Sequence, residues 1–470
     1  MAERADIPSV VRGGTVVDST GERRADVVIE GDRVASVVPD GTAEVPLGAT
    51  VFDAGGCLVA PGLVDLHTHA RQPGAEESET VQSASRAAAL GGFTAFVAMP
   101  NTDPPIDDAS VAREVLLLGE GALCRVCVAA SITVGRAGER LAPMAELARL
   151  GVRIFTDDGA GVQDSAVMRR AMDYARGLGV TLAQHCEDGA LAAGGHMHEG
   201  AWSSRLGVPG VPGEAELVMA ARDIALCRLT GARLHLLHLS TGAALAAAAR
   251  AKAEGLPVTI EVTPHHLALT DASLVGYDSV FKVNPPLRPD GDVAALRAGC
   301  VDGTVDAIAT DHAPHPPEAK DMSLVDAPPG MLGLETALAV SFGALVRAEP
   351  SVNGSGRGGR DHDATQSERH DATQSERRLR PRDVIGLMSW RPAQICGIAV
   401  EQGGDQGGPI SEGMPANICV IDPAREWTVE PERLASRSRN TPFAGRRLVG
   451  KVRHTFYRGE PVVVDEKAQR

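Results

Sequence analysis

Five short segments of the chain end in histidine or aspartate, and each follows an apolar run typical of a buried strand. The segments cover residues 64–69, 154–158, 182–185, 236–238 and 307–311, and their polar side chains are His67, His69, Asp157, Asp158, His185, His238 and Asp311. In a barrel of alternating strands and helices, side chains at the carboxyl ends of the strands form the active site. Imidazole and carboxylate groups together suit zinc and can leave a position for hydroxide. The pattern therefore indicates a metal-dependent hydrolytic site.

The first two segments carry their polar residues in pairs. His67 and His69 are two residues apart at the end of a strand, so both side chains point to the same side and form a chelate. Asp157 and Asp158 are adjacent, so only one of them is easily directed into a barrel mouth. An aspartate at such a place can also cap a turn or a helix.

The other histidines are consistent with more than one role. His185 and His238 each close an apolar run, and each is equally consistent with a metal ligand and with a structural histidine. His235 lies three residues before His238 and faces the other way, which favours a structural role. His265 and His266 are neighbours, so both cannot aim inward, and we interpret them as residues that support the site.

Two further residues suggest the chemistry. Asp311 ends the last apolar run and is the candidate general acid and base, because a carboxylate beside zinc can move a proton between hydroxide and a nitrogen. Arg71 follows the histidine pair, and its planar guanidinium matches a carboxylate in two parallel hydrogen bonds. The pair of residues therefore predicts a small anionic substrate.

The elements that must position these residues alternate between strand-like and helical patterns. Eight strands are predicted, at 62–67, 93–99, 124–132, 151–157, 180–185, 232–239, 257–263 and 305–311. Alanine-rich helical stretches separate them, which predicts an α/β fold with a (β/α)₈ TIM barrel over residues 61–400. Short β-rich runs at 1–60 and 401–470 predict a small β-sandwich built from both ends of the chain.

Composition excludes several classes of protein. The net charge of −15 argues against nucleic-acid or anionic-membrane binding, and we expect neither a signal peptide nor a membrane span, because no apolar run of about 18 residues occurs. The eight cysteines are dispersed, which favours reduced thiols in a cytoplasm. Cys124 and Cys127 have a CxxC spacing but lie in a strand-like run, so we interpret them as packing residues.

One segment interrupts the barrel pattern. Residues 352–378 are polar and contain an octapeptide that occurs twice, at 362–369 and 370–377. A polar repeat has no apolar surface to bury, so the insertion is predicted to be disordered. We therefore assign His362 and His370 to solvent rather than to a metal.

The chain resembles the dihydroorotase family, within the amidohydrolase superfamily that also contains hydantoinases and allantoinases. The segments that carry the resemblance are 61–74, 91–104, 155–163, 185–188, 238–241 and 309–315. The resemblance implies one or two Zn²⁺ ions per subunit, with ligands His67, His69, Asp158, His185, His238 and Asp311. It implies that Asp311 is catalytic and that the substrate is held by His69, Arg71, Asn101, Asn284, His315, Pro329 and Gly330.

Some features refine this resemblance. The related branches use a carboxylated lysine as a metal ligand, and no lysine occurs between residues 61 and 184, which places the chain with the aspartate-type, class I dihydroorotases. The family usually has phenylalanine in place of Pro329, and Asn-Pro where this chain has 389–392.

The resemblance implies reversible cyclisation of N-carbamoyl-L-aspartate to L-dihydroorotate in pyrimidine biosynthesis. One alternative is a cyclic-ureide hydrolase of the hydantoinase or allantoinase kind. Another is an inactive subunit that scaffolds aspartate transcarbamoylase, although such a subunit should have lost ligands. We expect a homo-oligomer, with aspartate transcarbamoylase as a candidate partner.

Overall fold

The computed structural model describes residues 7–347 and 378–470. The predicted insertion, including both copies of the octapeptide, lies outside the described residues apart from its last position. Within the described residues, no helix combines the length and the apolar character that crossing a membrane requires.

The described residues form nineteen strands, most of them short. They are β1 (Ser9–Asp18), β2 (Gly21–Glu30), β3 (Arg33–Pro39), β4 (Thr50–Asp53), β5 (Leu58–Pro61), β6 (Leu63–Thr68), β7 (Phe93–Ala98), β8 (Arg125–Val128), β9 (Ile154–Phe155), β10 (Thr181–Gln184), β11 (Met197–His198), β12 (Gly210–Val211), β13 (Arg233–Leu236), β14 (Val258–Val262), β15 (Ala307–Ile308), β16 (Ile418–Thr428), β17 (Arg447–Tyr457), β18 (Glu460–Val464) and β19 (Lys467–Ala468).

Helices fill most of the connections between the central strands. They are α1 (Val81–Leu90), α2 (Ala109–Gly119), α3 (Met144–Arg149), α4 (Ser165–Leu178), α5 (Gly189–Ala192), α6 (Ala201–Leu206), α7 (Glu214–Thr230), α8 (Gly242–Ala253), α9 (Pro264–Ala268), α10 (Asp290–Asp302), α11 (Pro317–Lys320), α12 (Ala337–Leu345), α13 (Pro381–Met388) and α14 (Trp390–Ile395). Short 3₁₀ helices lie at Val134–Arg136, Asp271–Gly276, Ser279–Phe281, Val400–Gln402 and Pro431–Arg433.

The eight central strands occur in the predicted order, and every ladder between them is parallel. The ladders form two separate sheets, one of order β6-β7-β8 and one of order β15-β14-β13-β10-β9. Isolated parallel bridges, Ala130 with Phe155 and Thr68 with His312, lie between the two sheets. The α/β prediction is confirmed, whereas the hydrogen bonds do not close one continuous barrel.

The two ends of the chain share one sheet, of order β19-β18-β17-β16-β5-β1-β2-β3, with β4 added beside β1. The junction is the antiparallel pairing of β5 with β16, in which Val59 lies opposite Val420. Strands from both ends of the chain thus belong to one hydrogen-bonded sheet of nine strands, in the region where the sequence predicts a small β-sandwich.

Local sequence explains where the helices lie. Helix α4 begins after Asp164, whose carboxylate accepts a hydrogen bond from the Val167 amide, and it ends at Gly179 in a left-handed conformation. Its buried residues include Met168 and Met172, which lie on one face and pack into the central apolar cluster. Such caps and apolar faces fix each helix against the parallel strands, so the strand ends are held at one side of the sheets.

Candidate metal centre and active site

Asp158 lies at the centre of the predicted ligands, with a different carboxylate oxygen facing each side. Its Oδ2 lies 3.4 Å from His67 Nε2 and 3.6 Å from His69 Nε2. Its Oδ1 lies 3.6 Å from His185 Nδ1 and 3.5 Å from His238 Nε2. All five side chains are buried. The carboxylate therefore separates two pairs of imidazole nitrogens, an arrangement that could bridge two cations.

Asp311 completes the first of these two groups. Its Oδ1 lies 3.0 Å from His69 Nε2 and 3.5 Å from His67 Nε2. Two clusters have the spacing needed to hold a metal ion, namely His67–Asp158–His238 and His67–His69–Asp311. The structure thus brings together all six residues that the sequence singled out as ligands.

Several buried atoms in this cluster lack partners that a cation would supply. His67 Nε2 and Asp158 Oδ1 are buried and make no hydrogen bond among the described residues. Buried polar atoms are normally satisfied, so unpaired ones indicate a missing partner. His185 Nδ1 and His238 Nε2 lie 3.0 Å apart, close enough to share a proton or to face one ion. The donor set of imidazoles and carboxylates therefore fits a metal such as zinc.

The charges of the cluster also favour a cation. Burial alone would lower the pKa of His67, but the charges of Asp158 and Asp311 raise it well above its ordinary value. Burial would raise the pKa of Asp311, yet the charge of His67 and the hydrogen bond from His69 hold it well below its usual range. Both shifts show that the pocket stabilises positive charge beside its carboxylates.

Glu261 on β14 fixes the orientation of His67, a role that was not predicted from the sequence. Its Oε1 lies 2.9 Å from His67 Nδ1 and accepts the His238 amide at 3.2 Å, while its Oε2 lies 3.0 Å from His235 Nε2. An ionised carboxylate only accepts, so Nδ1 of His67 carries a proton and Nε2 faces the centre. Burial would raise the pKa of Glu261, but hydrogen bonds from His235 and His67 lower it to about 2. The signal in the sequence was a single charged residue in the strand Val258–Val262.

We expect Glu261→Gln to weaken metal binding, because an amide offers one accepting oxygen where the carboxylate serves both His67 and His235. Loss of a carboxylate that orients a ligand histidine costs about 10–100-fold in metal affinity or activity. Titration of the metal-free protein with zinc against a chromogenic chelator measures the affinity. Affinity equal to that of the wild type would contradict the orienting role.

The two adjacent aspartates have separate tasks. Asp157 turns away from the cluster and accepts the backbone amides of Ile132 and Thr133 at 2.9 and 3.0 Å. The Thr133 hydroxyl also donates to it. Asp158 alone faces the histidines. Asp157 therefore anchors a neighbouring loop rather than capping a turn or a helix.

The predicted substrate residues surround the outer side of His69. Asn101 Oδ1 lies 2.8 Å from His69 Nδ1, which leaves the amide hydrogens of Asn101 for another partner. Arg71 Nε donates to the Pro314 carbonyl at 3.1 Å, and its Nη2 lies 3.4 Å from His315 Nε2. Burial and the charge of Arg71 lower the pKa of His315 to about 3, so its ring is neutral at pH 7.

Loops from the second sheet complete the rim. Asn284 Nδ2 lies 3.4 Å from His185 Nε2. His315 Nε2 donates to the carbonyl of Pro329 at 2.9 Å, and Gly330 follows in a left-handed conformation with φ 136°. The structure thus places every predicted substrate residue on the loops around the cluster.

The neighbouring histidines of α9 differ in their contacts. His266 bonds to Thr263 Oγ1 at 2.8 Å and to the Pro285 carbonyl at 3.0 Å, so it braces the loop that carries Asn284. His265 is buried, and its Nε2 has no partner among the described residues. Burial lowers the pKa of His265 to about 4 despite the charge of Asp311. The contacts of His266 agree with its interpretation as a residue that supports the site.

Three of the eight non-glycine residues with positive φ in the described part of the chain lie at this site. Arg71, His238 and Asp311 have φ angles of 59°, 32° and 45°, in the left-handed region that residues other than glycine rarely adopt. Such conformations cost about 1–3 kcal/mol each and tend to occur at functional sites. At these positions the chain leaves a strand and turns, so the strained backbone aims each side chain into the cluster.

Cys124 and Cys127, the two cysteines of the CxxC spacing, form no disulfide. Cys124 is buried and Cys127 is half-buried, and both are free thiols. Burial raises the pKa of the Cys124 thiol, so it stays protonated. Neither cysteine belongs to the clusters that could hold a metal among the described residues.

Parallel strands that deliver histidines and aspartates to one buried cluster define a metal-dependent hydrolase of the amidohydrolase type. The family model described as dihydro-orotase-like matches residues 56–244. A dihydroorotase of Anaeromyxobacter dehalogenans (strain 2CP-C) is 45% identical over 465 residues, which cover 98% of this chain and 99% of that protein. A dihydroorotase of Streptomyces coelicolor is 42% identical over 462 residues, which cover 98% of this chain and 99% of that protein. The chain belongs to the dihydroorotase family.

Solved structures support the fold. The L-hydantoinase of Arthrobacter aurescens superposes with a TM-score of 0.80 at 22% identity, covering 98% of this chain and 97% of that chain. The dihydropyrimidinase of Brevibacillus agri gives a TM-score of 0.78 at 22% identity, covering 98% and 96%. At this level of identity the likeness concerns the fold alone. The family resemblance itself is confirmed by the relatives named dihydroorotase, at 42–45% identity.

Proposed function

We propose that this chain is a zinc-dependent dihydroorotase that interconverts N-carbamoyl-L-aspartate and L-dihydroorotate. The observation that carries the proposal is the convergence of six ligand-type side chains in a chain that relatives named dihydroorotase match almost completely. The six are His67, His69, Asp158, His185, His238 and Asp311. Zinc suits this set because it binds imidazole nitrogen and carboxylate oxygen.

We assign two adjacent metal positions, and Asp158 would contribute a carboxylate oxygen to each. His67, His69 and Asp311 would hold one ion, and His185 with His238 would hold the other. When bound, zinc activates a water molecule as nucleophile and polarises the ring amide carbonyl. Asp158 as the shared ligand supports assignment to the aspartate-type, class I enzymes.

In the hydrolytic direction, Asp311 acts first as a base and then as an acid. Its carboxylate, which lies beside His67 and His69, would take the proton of the attacking water. The amide carbon–nitrogen bond of the ring then breaks, and Asp311 delivers that proton to the departing nitrogen. Ring closure follows the same path in reverse and releases water.

Arg71 and Asn101 hold the substrate carboxylate. The guanidinium and the free amide hydrogens of Asn101 can donate to its two oxygens. Asn284, His315, Pro329 and Gly330 lie around the same opening, and we assign them to the remainder of the ring. Fixing the ring in this way aligns its carbonyl with the nucleophile and lowers the entropic part of the barrier.

Finer points of architecture and assembly are also proposals. We infer that the two parallel sheets are the halves of one eight-stranded barrel, because isolated bridges link them. We take residues 1–60 and 401–470 as the terminal domain and residues 61–400 as the catalytic domain. We further propose a cytoplasmic homo-oligomer, with aspartate transcarbamoylase as a candidate partner.

The test is an assay of purified protein against dihydroorotate, hydantoin and allantoin, combined with elemental analysis of its metal. We expect turnover of dihydroorotate and bound zinc at one or two ions per chain. Preference for hydantoin or allantoin would favour the alternative of a cyclic-ureide hydrolase. A zinc-loaded protein inactive on all three would favour the scaffold subunit.

We expect Arg71→Lys to raise the KM for dihydroorotate while zinc content is retained, because an ammonium keeps the charge but not the two-pronged contact. The loss corresponds to one hydrogen bond to a charged group, about 1.5–3 kcal/mol. Steady-state kinetics and thermal melting should be measured together. An unchanged KM with a lower melting temperature would mean that Arg71 only packs the mouth of the site.

A further inference from the structure

A segment of the terminal domain lies directly against the loops of the active site. We define residues 435–440, which belong to the connection between β16 and β17, as the strap. The Ala435 amide donates to Glu335 Oε1 at 2.7 Å, and the Arg437 amide donates to Glu79 Oε1 at 3.2 Å. The strap thus reaches the loop that follows the first metal-binding strand and the loop that follows Gly330.

Asn440 lies at the end of the strap. Both the oxygen and the nitrogen of its side-chain amide form hydrogen bonds, and these join the loop of His315 to the loop of Gly330. It is 5% exposed. Its Oδ1 accepts the His315 amide at 3.2 Å, and its Nδ2 donates to the carbonyls of Ala313 at 3.0 Å and Gly330 at 3.1 Å. The Asn440 carbonyl also accepts the Leu332 amide at 3.1 Å. One residue therefore fixes the spacing between the His315 loop and the Gly330 loop.

The Gly330 loop depends on such outside support. A Cβ on Gly330 would lie 2.8 Å from Ala313 Cβ and 2.9 Å from His315 Nε2, so no larger residue fits there without movement. Lys320 donates to the carbonyls of Pro328 at 2.9 Å and Gly330 at 3.1 Å from the other side. The loop is thus held by hydrogen bonds to its backbone rather than by a side chain at Gly330.

We propose that Asn440 is a positioning residue for substrate binding, which sets the distance between His315 and Gly330. The inference rests on the proposed function, because that function assigns both residues to the substrate ring. Among the contacts of the Asn440 side chain there is no metal-ligand candidate in the described residues. Preorganised loops improve affinity by lowering the cost of ordering on binding. Substrate affinity should therefore depend on Asn440, whereas metal content should not.

The experiment compares Asn440→Ala with Asn417→Ala. Asn417 is a matched control, because it is also 5% exposed, donates to the Asp405 carbonyl at 2.8 Å and accepts the Arg458 amide at 2.8 Å in the terminal domain. We expect Asn440→Ala to raise the KM for dihydroorotate about tenfold, equivalent to about 1.4 kcal/mol. Zinc content and kcat should change little. Asn417→Ala should lower the melting temperature without changing KM.

Two further variants guard against a failure of Asn440→Ala to fold. Asn440→Asp keeps the acceptor for His315 but loses both donors, and Lys320→Met releases the same Gly330 carbonyl from the other side. Both should raise KM with zinc retained. An unchanged KM in the folded variants, or an equal rise in Asn417→Ala, would overturn the positioning role alone. A zinc-loaded wild type that fails to turn over dihydroorotate would overturn the proposed function, and this inference with it.

Discussion

Asp311→Asn is expected to reduce kcat for dihydroorotate hydrolysis by about 10²–10⁴-fold, the usual cost of removing a general acid and base. The amide keeps the shape of the carboxylate and one oxygen near His67 and His69, and five candidate ligands remain, so zinc content should fall far less than kcat. The amide cannot take a proton from water at neutral pH, so the proton transfer to the ring nitrogen is lost. Steady-state kinetics with elemental analysis of the same preparation separates the two effects.

Asp306→Asn provides a matched control for this experiment. Asp306 lies just before β15, where its carboxylate binds Lys252 Nζ and the Ile260 amide at 2.7 and 2.9 Å. The substitution removes the same charge from the same strand, at the end remote from the metal cluster. It should lower stability with little change in kcat. Near-normal kcat in Asp311→Asn would rule out the assigned role of Asp311.

Asp158→Ala is expected to abolish activity through loss of metal. Asp158 faces all four candidate histidine ligands, so its removal leaves both proposed metal positions without their shared carboxylate. Loss of an outer partner already costs about 10–100-fold in metal affinity, and a direct ligand should cost more. Zinc titration and kcat should therefore both fall sharply.

The neighbouring residue supplies the comparison for this variant. Asp157→Ala also removes one buried carboxylate, but Asp157 binds the backbone of Ile132 and Thr133 instead of the histidines. It should lower the melting temperature while zinc is retained. Retention of zinc in Asp158→Ala, or equal loss of zinc in both variants, would contradict the central position of Asp158.

The sequence predicted the site residues better than it predicted their supports. Polar residues such as His185 and His238 stand out because they end apolar runs, and the chemistry of a metal requires such types. Glu261 lies inside a strand, and its contact with His67 joins positions 194 residues apart, which no local pattern reveals. Asn440 is likewise ordinary in its local sequence, and only the folded chain shows which loops it joins.

The strands were predicted in number and order, but their ends were not. The predicted run 151–157 contains a strand of only Ile154–Phe155, and the predicted run 305–311 contains only Ala307–Ile308. At the first, Asp157 binds the amides of a neighbouring loop. At the second, Asp311 takes a left-handed φ of 45°, which ends the extended conformation. Both strands are therefore shorter than the apolar runs that predicted them, because hydrophobic periodicity does not record where the backbone ladder ends.

The pairing of β5 with β16 has a consequence for the order in which the enzyme is made. Every candidate metal ligand has left the ribosome once residue 311 has emerged, whereas the strap and the partner strand of β5 follow more than a hundred residues later. The nascent chain therefore contains every candidate metal ligand before it contains the strap, whose Asn440 joins the His315 loop to the Gly330 loop. The support of these substrate-binding loops is completed last, when the carboxyl-terminal strands join those of the amino terminus.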